Sequence, residues 1–332
     1  MRPILLAILL LFAPAAGAER FTFVAFGDMP YCDERAMESC PAEEVRVARL
    51  MAAINAARPA FSIFLGDTKG GDEHCTDTRL LRALDWMALA DHPLVYTPGD
   101  NEWTDCWQDR AGRFDPQERL ALLRRYFFAR AESLGQVGMR LLRQADIDPV
   151  HRAFVENARW SRQGVVFVTV HVTGSNNNRP TEPGETPASR PPEGAMAEYT
   201  ARNAANLAWL EAGFAEAVRT QARAVVIALQ ANMYFAEDCP PRAPGQRSGF
   251  VDTVAALERL ARSFGRPVLL LQGDSHFFVH RRGQSGIPNL SRVMVPGARD
   301  VRAVRVQVDT DAPDPWRFSP IGTDDRPGRT RC

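Results

Sequence analysis

Phe21-Thr22-Phe23-Val24-Ala25-Phe26 runs into Gly27-Asp28, and Phe61-Ser62-Ile63-Phe64-Leu65 runs into Gly66-Asp67. The same ending follows Leu94-Val95-Tyr96-Thr97-Pro98 at Gly99-Asp100, and Val268-Leu269-Leu270-Leu271-Gln272 at Gly273-Asp274. A short unbroken apolar run closed by turn residues reads as a buried strand. In an open α/β sheet the ligand crevice lies outside the carboxyl ends of such strands. A single Gly-Asp commonly starts a turn or caps a helix. Repetition in one strand-end context instead directs several carboxylates to one place. Like charges gathered there repel, so the pattern calls for a cation between them, and a bound metal is the economical answer.

Working outward, Glu43 to Arg58 places Val45, Val47, Leu50, Met51 and Ile54 at helical spacing and stops at Pro59. Thr78 to Ala90 repeats this with Leu80, Leu81, Leu84 and Met87. The β-α-β-α-β alternation predicts right-handed crossovers and a largely parallel start to the sheet. After Glu102 the period turns helical, from Asp115-Pro116 through Arg130 and on to about Arg159, which predicts a helical insertion over about 103–160. Val165 to Val170 is the next strand, and the polar stretch Asn176 to Glu198 is a candidate lid. A helix over Asn203 to Arg219 feeds a strand over Ala224 to Leu229, and a helix over Val251 to Ser263 precedes the last Gly-Asp strand. Phe277 to His280, Ser291 to Val295 and Val301 to Val308 are expected as short strands of a second, antiparallel sheet edge. The tail after Asp309 is expected to be irregular.

The 332 residues are 45% hydrophobic, enough for one large α/β domain or two smaller ones. Forty basic side chains against 40 acidic ones give no bulk charge for nucleic-acid or anionic-membrane binding. Arg2, the apolar run Ile4 to Phe12 and Ala16-Gly17-Ala18 predict a signal peptide over residues 1–18, cleaved near Ala18. That run is too short to span a bilayer, and no other segment is long and apolar enough. A secreted or periplasmic protein is expected. Cys32, Cys40, Cys75, Cys106, Cys239 and Cys332 all fall in loops and lack paired C-x-x-C spacing, which favours structural disulfides over metal thiolates. Cys32–Cys40 is the most local pairing. Cys75–Cys106 would tie two strand-end loops and leave Cys239 with Cys332, although other pairings stay open.

The order of these motifs resembles the calcineurin-like metallophosphoesterase superfamily, from Phe21 to about Val308. The corresponding stretches are Gly27-Asp28-Met29-Pro30, Gly66-Asp67, Gly99-Asp100-Asn101-Glu102, Ala228-Leu229-Gln230 and Gly273-Asp274-Ser275-His276. The helix Asn206-Leu207-Ala208-Trp209-Leu210-Glu211 is also similar to the family's helix before its penultimate motif. The resemblance implies an α/β fold, a four-layer β-sandwich flanked by helices, with 19–332 as one domain carrying the insertion. It implies hydrolysis of a phosphoester, mono- or diester, by a metal-bound hydroxide at a two-metal site. By position, Asp67 would bridge two divalent ions, Asp28 and His276 would serve one, and Asp100, Gln230 and Asp274 the other. The partner would be a small phosphorylated substrate, with no nucleic acid and no membrane span after signal removal.

The chain departs from the family pattern at chemically decisive positions. Pro30 stands where a ligand His is expected and cannot ligate through its side chain. Gln230 and Asp274 replace imidazoles with oxygen donors, and an oxygen-rich set with one imidazole favours Mn, Mg, Ca or Fe over Zn. Asn101 occupies the position of the His that protonates the leaving group, a loss that typically costs ~10²–10⁴-fold. His171, at the end of the strand Val165–Val170, is the candidate replacement, weighed evenly against a histidine that merely steadies its loop. His74 is a weaker candidate. Glu102 is expected to orient Asn101 or accept an outer bond, with helix capping as its bland role. Lys69 is expected near a phosphate oxygen or exposed at its turn. The alternative function is a non-catalytic metal- or phospho-ligand-binding protein of the same fold.

Overall fold

The computed structural model describes residues 20–32, 40–185, 189–240 and 247–322. The signal peptide expected over 1–18, and Cys332, lie outside the described residues. Among the described residues twelve strands run in chain order: β1 Phe21–Phe26, β2 Ser62–Phe64, β3 Leu94–Tyr96, β4 Leu142–Arg143, β5 Ala158–Arg162, β6 Val165–Thr169, β7 Ala224–Ala228, β8 Val268–Gln272, β9 Val279–Arg282, β10 Leu290–Met294, β11 Ala303–Val308 and β12 Trp316–Ile321. They form a five-stranded sheet, β12-β11-β1-β2-β3, and a seven-stranded sheet, β4-β5-β6-β7-β8-β10-β9.

The two-residue period of a strand explains how one run serves two cores. In β1, Phe21, Phe23 and Ala25 face the second sheet, while Val24 and Phe26 face the helices behind the first. In β6, Val165 and Phe167 enter the same inter-sheet core, and Val166 and Val168 face the opposite way. Helices Pro41–Ala56, Ala83–Met87 and Pro116–Phe127 cover the outer face of the first sheet. Ala195–Arg219 and Val251–Phe264 cover that of the second. The result is helix, sheet, sheet, helix. Phe167 packs edge-on to Phe23 and Phe61 and stacked on Trp160, with ring centroids 5.0–5.4 Å apart. Burying each such ring is worth about 1.5–3 kcal/mol, so the sheets are held apolar face to apolar face.

β1, β2 and β3 pair in parallel, as do β6, β7 and β8, so their carboxyl ends gather at one edge. Several expectations need correction. The stretch expected to stay helical to Arg159 has helices Pro116–Phe127 and Gln144–Ile147, then turns into β5 at Ala158. Asp115 caps the longer helix by accepting from the Gln117 and Glu118 N–H groups, 2.7 and 3.3 Å away. β9, β10 and β11 do not make a separate antiparallel edge. β10 pairs in parallel with β8, and β9 closes that sheet antiparallel to β10. β11 crosses to the other sheet beside β1. The tail forms edge strand β12, which buries only Trp316 and Ile321 at its two ends, too sparse an apolar signal to read. Two cysteine pairs are bridged, Cys32–Cys40 and Cys75–Cys106, and Cys239 is also disulfide-bonded. Among the described residues no helix is long and apolar enough to cross a membrane.

Candidate metal centre

The strand ends are built from tight turns in which non-glycine residues take left-handed backbone angles: φ is 57° at Asp28, 59° at Asp67, 76° at Asp274 and 66° at His276. Aspartate tolerates this region better than most residues, yet each such position costs on the order of 1–3 kcal/mol and persists only where its surroundings impose it. The glycine beside each turn lets neighbouring strand ends touch. A Cβ on Gly99 would lie 2.0 Å from Asp67 Oδ1.

Asp28, Asp67, Asp100, Glu102 and Asp105 are buried at this edge, with Asp274 partly so. They are cross-linked by donors from several elements. Asp67 Oδ1 accepts from the Asn101 N–H at 3.1 Å, and its Oδ2 accepts from Asn101 Nδ2 at 2.9 Å and the Tyr31 hydroxyl at 3.0 Å. Glu102 Oε1 accepts from the N–H groups of Asp67 and Gly99 and from the Tyr96 hydroxyl, at 3.1, 2.8 and 2.7 Å. It braces the turn and caps no helix. Asp100 accepts from Ser175 Oγ, and Asp274 from the Asn232 N–H, both at 2.9 Å. Asp28 Oδ1 accepts from the Asp274 N–H at 2.9 Å, whereas the buried Asp28 Oδ2 has no donor.

Burial, followed by the charges of neighbouring carboxylates, pushes Asp28 and Asp67 well above the usual carboxylate range. Asp105 and Asp274 are pushed up to about 7, by burial and then by the charge of Asp100. Such a cluster is poorly stabilised by protein alone and asks for a cation. The fit is good at one position. One ligand atom from each of Asp28, Asp67 and His276 lies within 4.8 Å of the others, with Asp28 Oδ1 3.7 Å from His276 Nε2 and Asp28 Oδ2 buried without a donor.

Other expected residues behave differently. Gln230 lies against Asp67 and Asp100, but it turns its amide nitrogen to them, donating to Asp67 Oδ2 at 3.2 Å and Asp100 Oδ1 at 2.9 Å. Asp100 and Asp274 join no group of three close ligating side chains among the described residues. Lys69 is fully buried; it donates to the Gly70 carbonyl, and burial holds it down to about 8. It is not an exposed lysine. His171 is corrected most clearly. Its ring is fully buried, Nδ1 meets Glu156 Oε1 at 2.8 Å, and it packs 5.2 Å from Trp103 instead of lining the cleft. Burial holds its imidazole below the usual value. His74 is likewise absent from the cleft lining.

A cleft of about 440 Å³ opens above the carboxylates. It is lined by residues that sequence reasoning passed over, among them Tyr31, Asp105, Asn232 and Arg247, and by Ser175. Tyr31 is the most consequential. Its hydroxyl also accepts from Asn101 Nδ2 at 3.1 Å and lies 3.2 Å from His276 Nε2. The readable signal was its place three residues beyond Asp28, just past Pro30.

Two helix-flanked sheets with an acidic cleft at their shared strand ends make up the calcineurin-like metallophosphoesterase fold, and the chain has it. A dimetal phosphatase from Danio rerio superposes with TM-score 0.55 at 13% identity, over 91% of this chain and 98% of that one. A purple acid phosphatase from yellow lupin (Lupinus luteus) seeds gives TM-score 0.49 at 11% identity, over 93% of this chain and 55% of that one. No family model matches the sequence, and no curated protein matches it.

Proposed function

We propose that the protein is a metal-dependent phosphoester hydrolase of an oxidising compartment, acting on a small phosphorylated substrate. The observation that carries this reading is the convergence of Asp28, Asp67 and His276 beneath an open cleft, with one buried Asp28 oxygen left without a donor. The likeness to a dimetal phosphatase supports it, and the disulfides support an exported protein. A divalent cation held there would polarise a phosphoryl oxygen and generate a nucleophile from water at neutral pH. The oxygen-rich donors favour Mn, Mg, Ca or Fe.

The chain's own residues set the rest. Asp67 is fixed by three hydrogen bonds from Asn101 and Tyr31, so its oxygens are held in place before any ligand arrives. Asn101 is a neutral amide that donates to Asp67 and Tyr31 and has no proton to give a leaving group. Arg110 and Arg247 line the cleft and supply positive charge for an anionic substrate. Substrates whose leaving groups need little protonation are therefore favoured: aryl esters and anhydrides.

The test is hydrolysis of aryl phosphate mono- and diesters by the disulfide-intact protein after chelation, with Mn, Mg, Ca, Fe or Zn restored in turn. Turnover should return with a divalent ion. Asp67→Asn should lose more than the roughly 100-fold that outer-shell changes cost. A folded protein inactive with every ion would instead support the binding role without catalysis.

A further inference from the structure

We propose that this centre binds one divalent cation, between Asp28, Asp67 and His276, and that the side-chain amide of Gln230 fills the position of a second. The inference rests on the metal-dependent reading above.

The oxygens available to a second ion are Asp67 Oδ2 and Asp100 Oδ1, and both accept from the one Gln230 nitrogen. The orientation of that amide is set from its other end. Gln230 Oε1 accepts from the Gly174 N–H at 2.6 Å, and an amide nitrogen turned there would set donor against donor. The carbonyl is thus consumed by backbone, and the two N–H groups face the carboxylates. Gln230 is completely buried. Its own backbone is pinned as well, donating to the Val172 carbonyl and accepting from the Gly273 N–H at 2.9 Å.

Gly174 cannot easily withdraw to release the amide. A Cβ there would lie 2.6 Å from Asp100 Oδ1 and 2.7 Å from Asp274 Oδ1, so its backbone is pressed between the two carboxylates. The following residues, Ser175 to Asn178, all hold left-handed φ angles between 46° and 61°. Arg202 ties that run, donating from Nη1 to the His171 carbonyl at 2.9 Å and to Asn177 Oδ1 at 2.5 Å, and from Nη2 to the Asn177 carbonyl at 2.9 Å. Rotating Gln230 to present oxygen would orphan a buried N–H in a loop whose conformation is already costly. Asp100 Oδ2 is also engaged, by Ser175, and Asp274 Oδ2 by Asn232. At the other position Asp28 Oδ2 is buried and without a donor, and Asp28 Oδ1 lies 3.7 Å from His276 Nε2 with no amide nitrogen turned between them.

The experiment is metal stoichiometry on the whole disulfide-intact protein. Chelated protein is equilibrated with Mn, bound Mn is measured per chain by elemental analysis, and the electron paramagnetic resonance spectrum is recorded. One Mn per chain with an isolated-ion spectrum is expected. Asp28→Asn should lose it, and Gln230→His should take up a second ion and give a spin-coupled spectrum. Two ions in the unaltered protein overturn the inference, as does no bound ion, or one ion kept by Asp28→Asn and lost in Asp100→Asn. The unaltered protein decides the matter even if Gln230→His does not fold. Aryl phosphate turnover on the same samples separates the two claims. One ion without turnover removes the hydrolase reading alone, and two ions with turnover remove this inference alone.

Discussion

Tyr31 Oη makes three polar contacts at the centre, to Asp67 Oδ2, Asn101 Nδ2 and His276 Nε2, and so touches both proposed ligands Asp67 and His276. Burial and then the charge of Asp67 hold its phenol well above the usual range, so it acts as a neutral hydrogen-bonding group. Tyr31→Phe keeps the ring against His276, whose centroid is 5.2 Å away, and removes only the hydroxyl. Divalent-ion affinity should fall about 10–100-fold, the usual range for an outer partner of metal ligands, with little change in melting temperature. Titration calorimetry with Mn checks this, and an unchanged affinity would show the hydroxyl to be idle. The carboxylates make a second prediction. Asp105 and Asp274 bind their protons up to about pH 7 in the folded chain, whereas an unfolded aspartate releases its proton near 4. Between about pH 4 and about pH 7 the folded state therefore holds more protons, and stability falls as pH rises through that window. Chelated protein should melt several degrees lower at pH 8 than at pH 5, and a divalent ion should raise the melting temperature most at pH 8. A flat or rising melting temperature in the chelated protein would contradict the assignment.

At the scale of elements, the buried strands were the most legible part of the chain. β1, β7 and β8 lie within a residue of their apolar runs because a strand buried on both faces needs unbroken hydrophobicity. Gly-Asp marked the site for the related reason that strand ends must touch without side chains between them. What stayed hidden had weak or misleading periodicity. Thr78 to Ala90 carries a helical stripe but forms two short helices, Asp77–Leu81 and Ala83–Met87. β12 has too few buried residues to announce itself. His171 was misplaced because strand-end position says nothing about which way a ring turns, and Glu156 captures it inward. The stretch from Asn176 to Glu198 reads as polar, but the left-handed path of Ser175 to Asn178 at its start is held by Arg202, far away in sequence on helix Ala195–Arg219. That loop carries its own prediction. Gly174→Ala would drive a methyl between Asp100 and Asp274, 2.6 and 2.7 Å from their oxygens. Mn affinity and turnover should both drop at least about 10-fold, while circular dichroism stays unchanged, because the fold's main helices and cores lie elsewhere. Full affinity in this variant would mean the loop yields more readily than its hydrogen bonds suggest.

For the whole molecule, the question is how a site made at the seam of two sheets depends on what joins them. The inter-sheet core around Phe167, Phe61 and Trp160 sets the global stability, whereas the Cys75–Cys106 bridge acts locally. Both bridge sulfurs lie within 3.6 Å of the Asn101 carbonyl oxygen, directly behind the turn that presents Asp100 and Asn101. Opening that bridge by Cys75→Ala with Cys106→Ala frees a separation of 31 residues and should cost about 3–4 kcal/mol on loop-entropy grounds. Phe167→Ala should cost a similar amount, about 3–5 kcal/mol, by emptying the inter-sheet core. Equal losses of stability should have unequal effects on the site. The bridge variant loosens the Asp100–Asn101 turn and with it the hydrogen bonds that fix Asp67, so Mn affinity falls; the core variant lowers the melting temperature and leaves affinity near its original value. Denaturant unfolding paired with Mn titration of both variants reads the two quantities separately. If affinity fell equally in both, the centre would be tracking global stability, and the bridge would have no particular hold on the site.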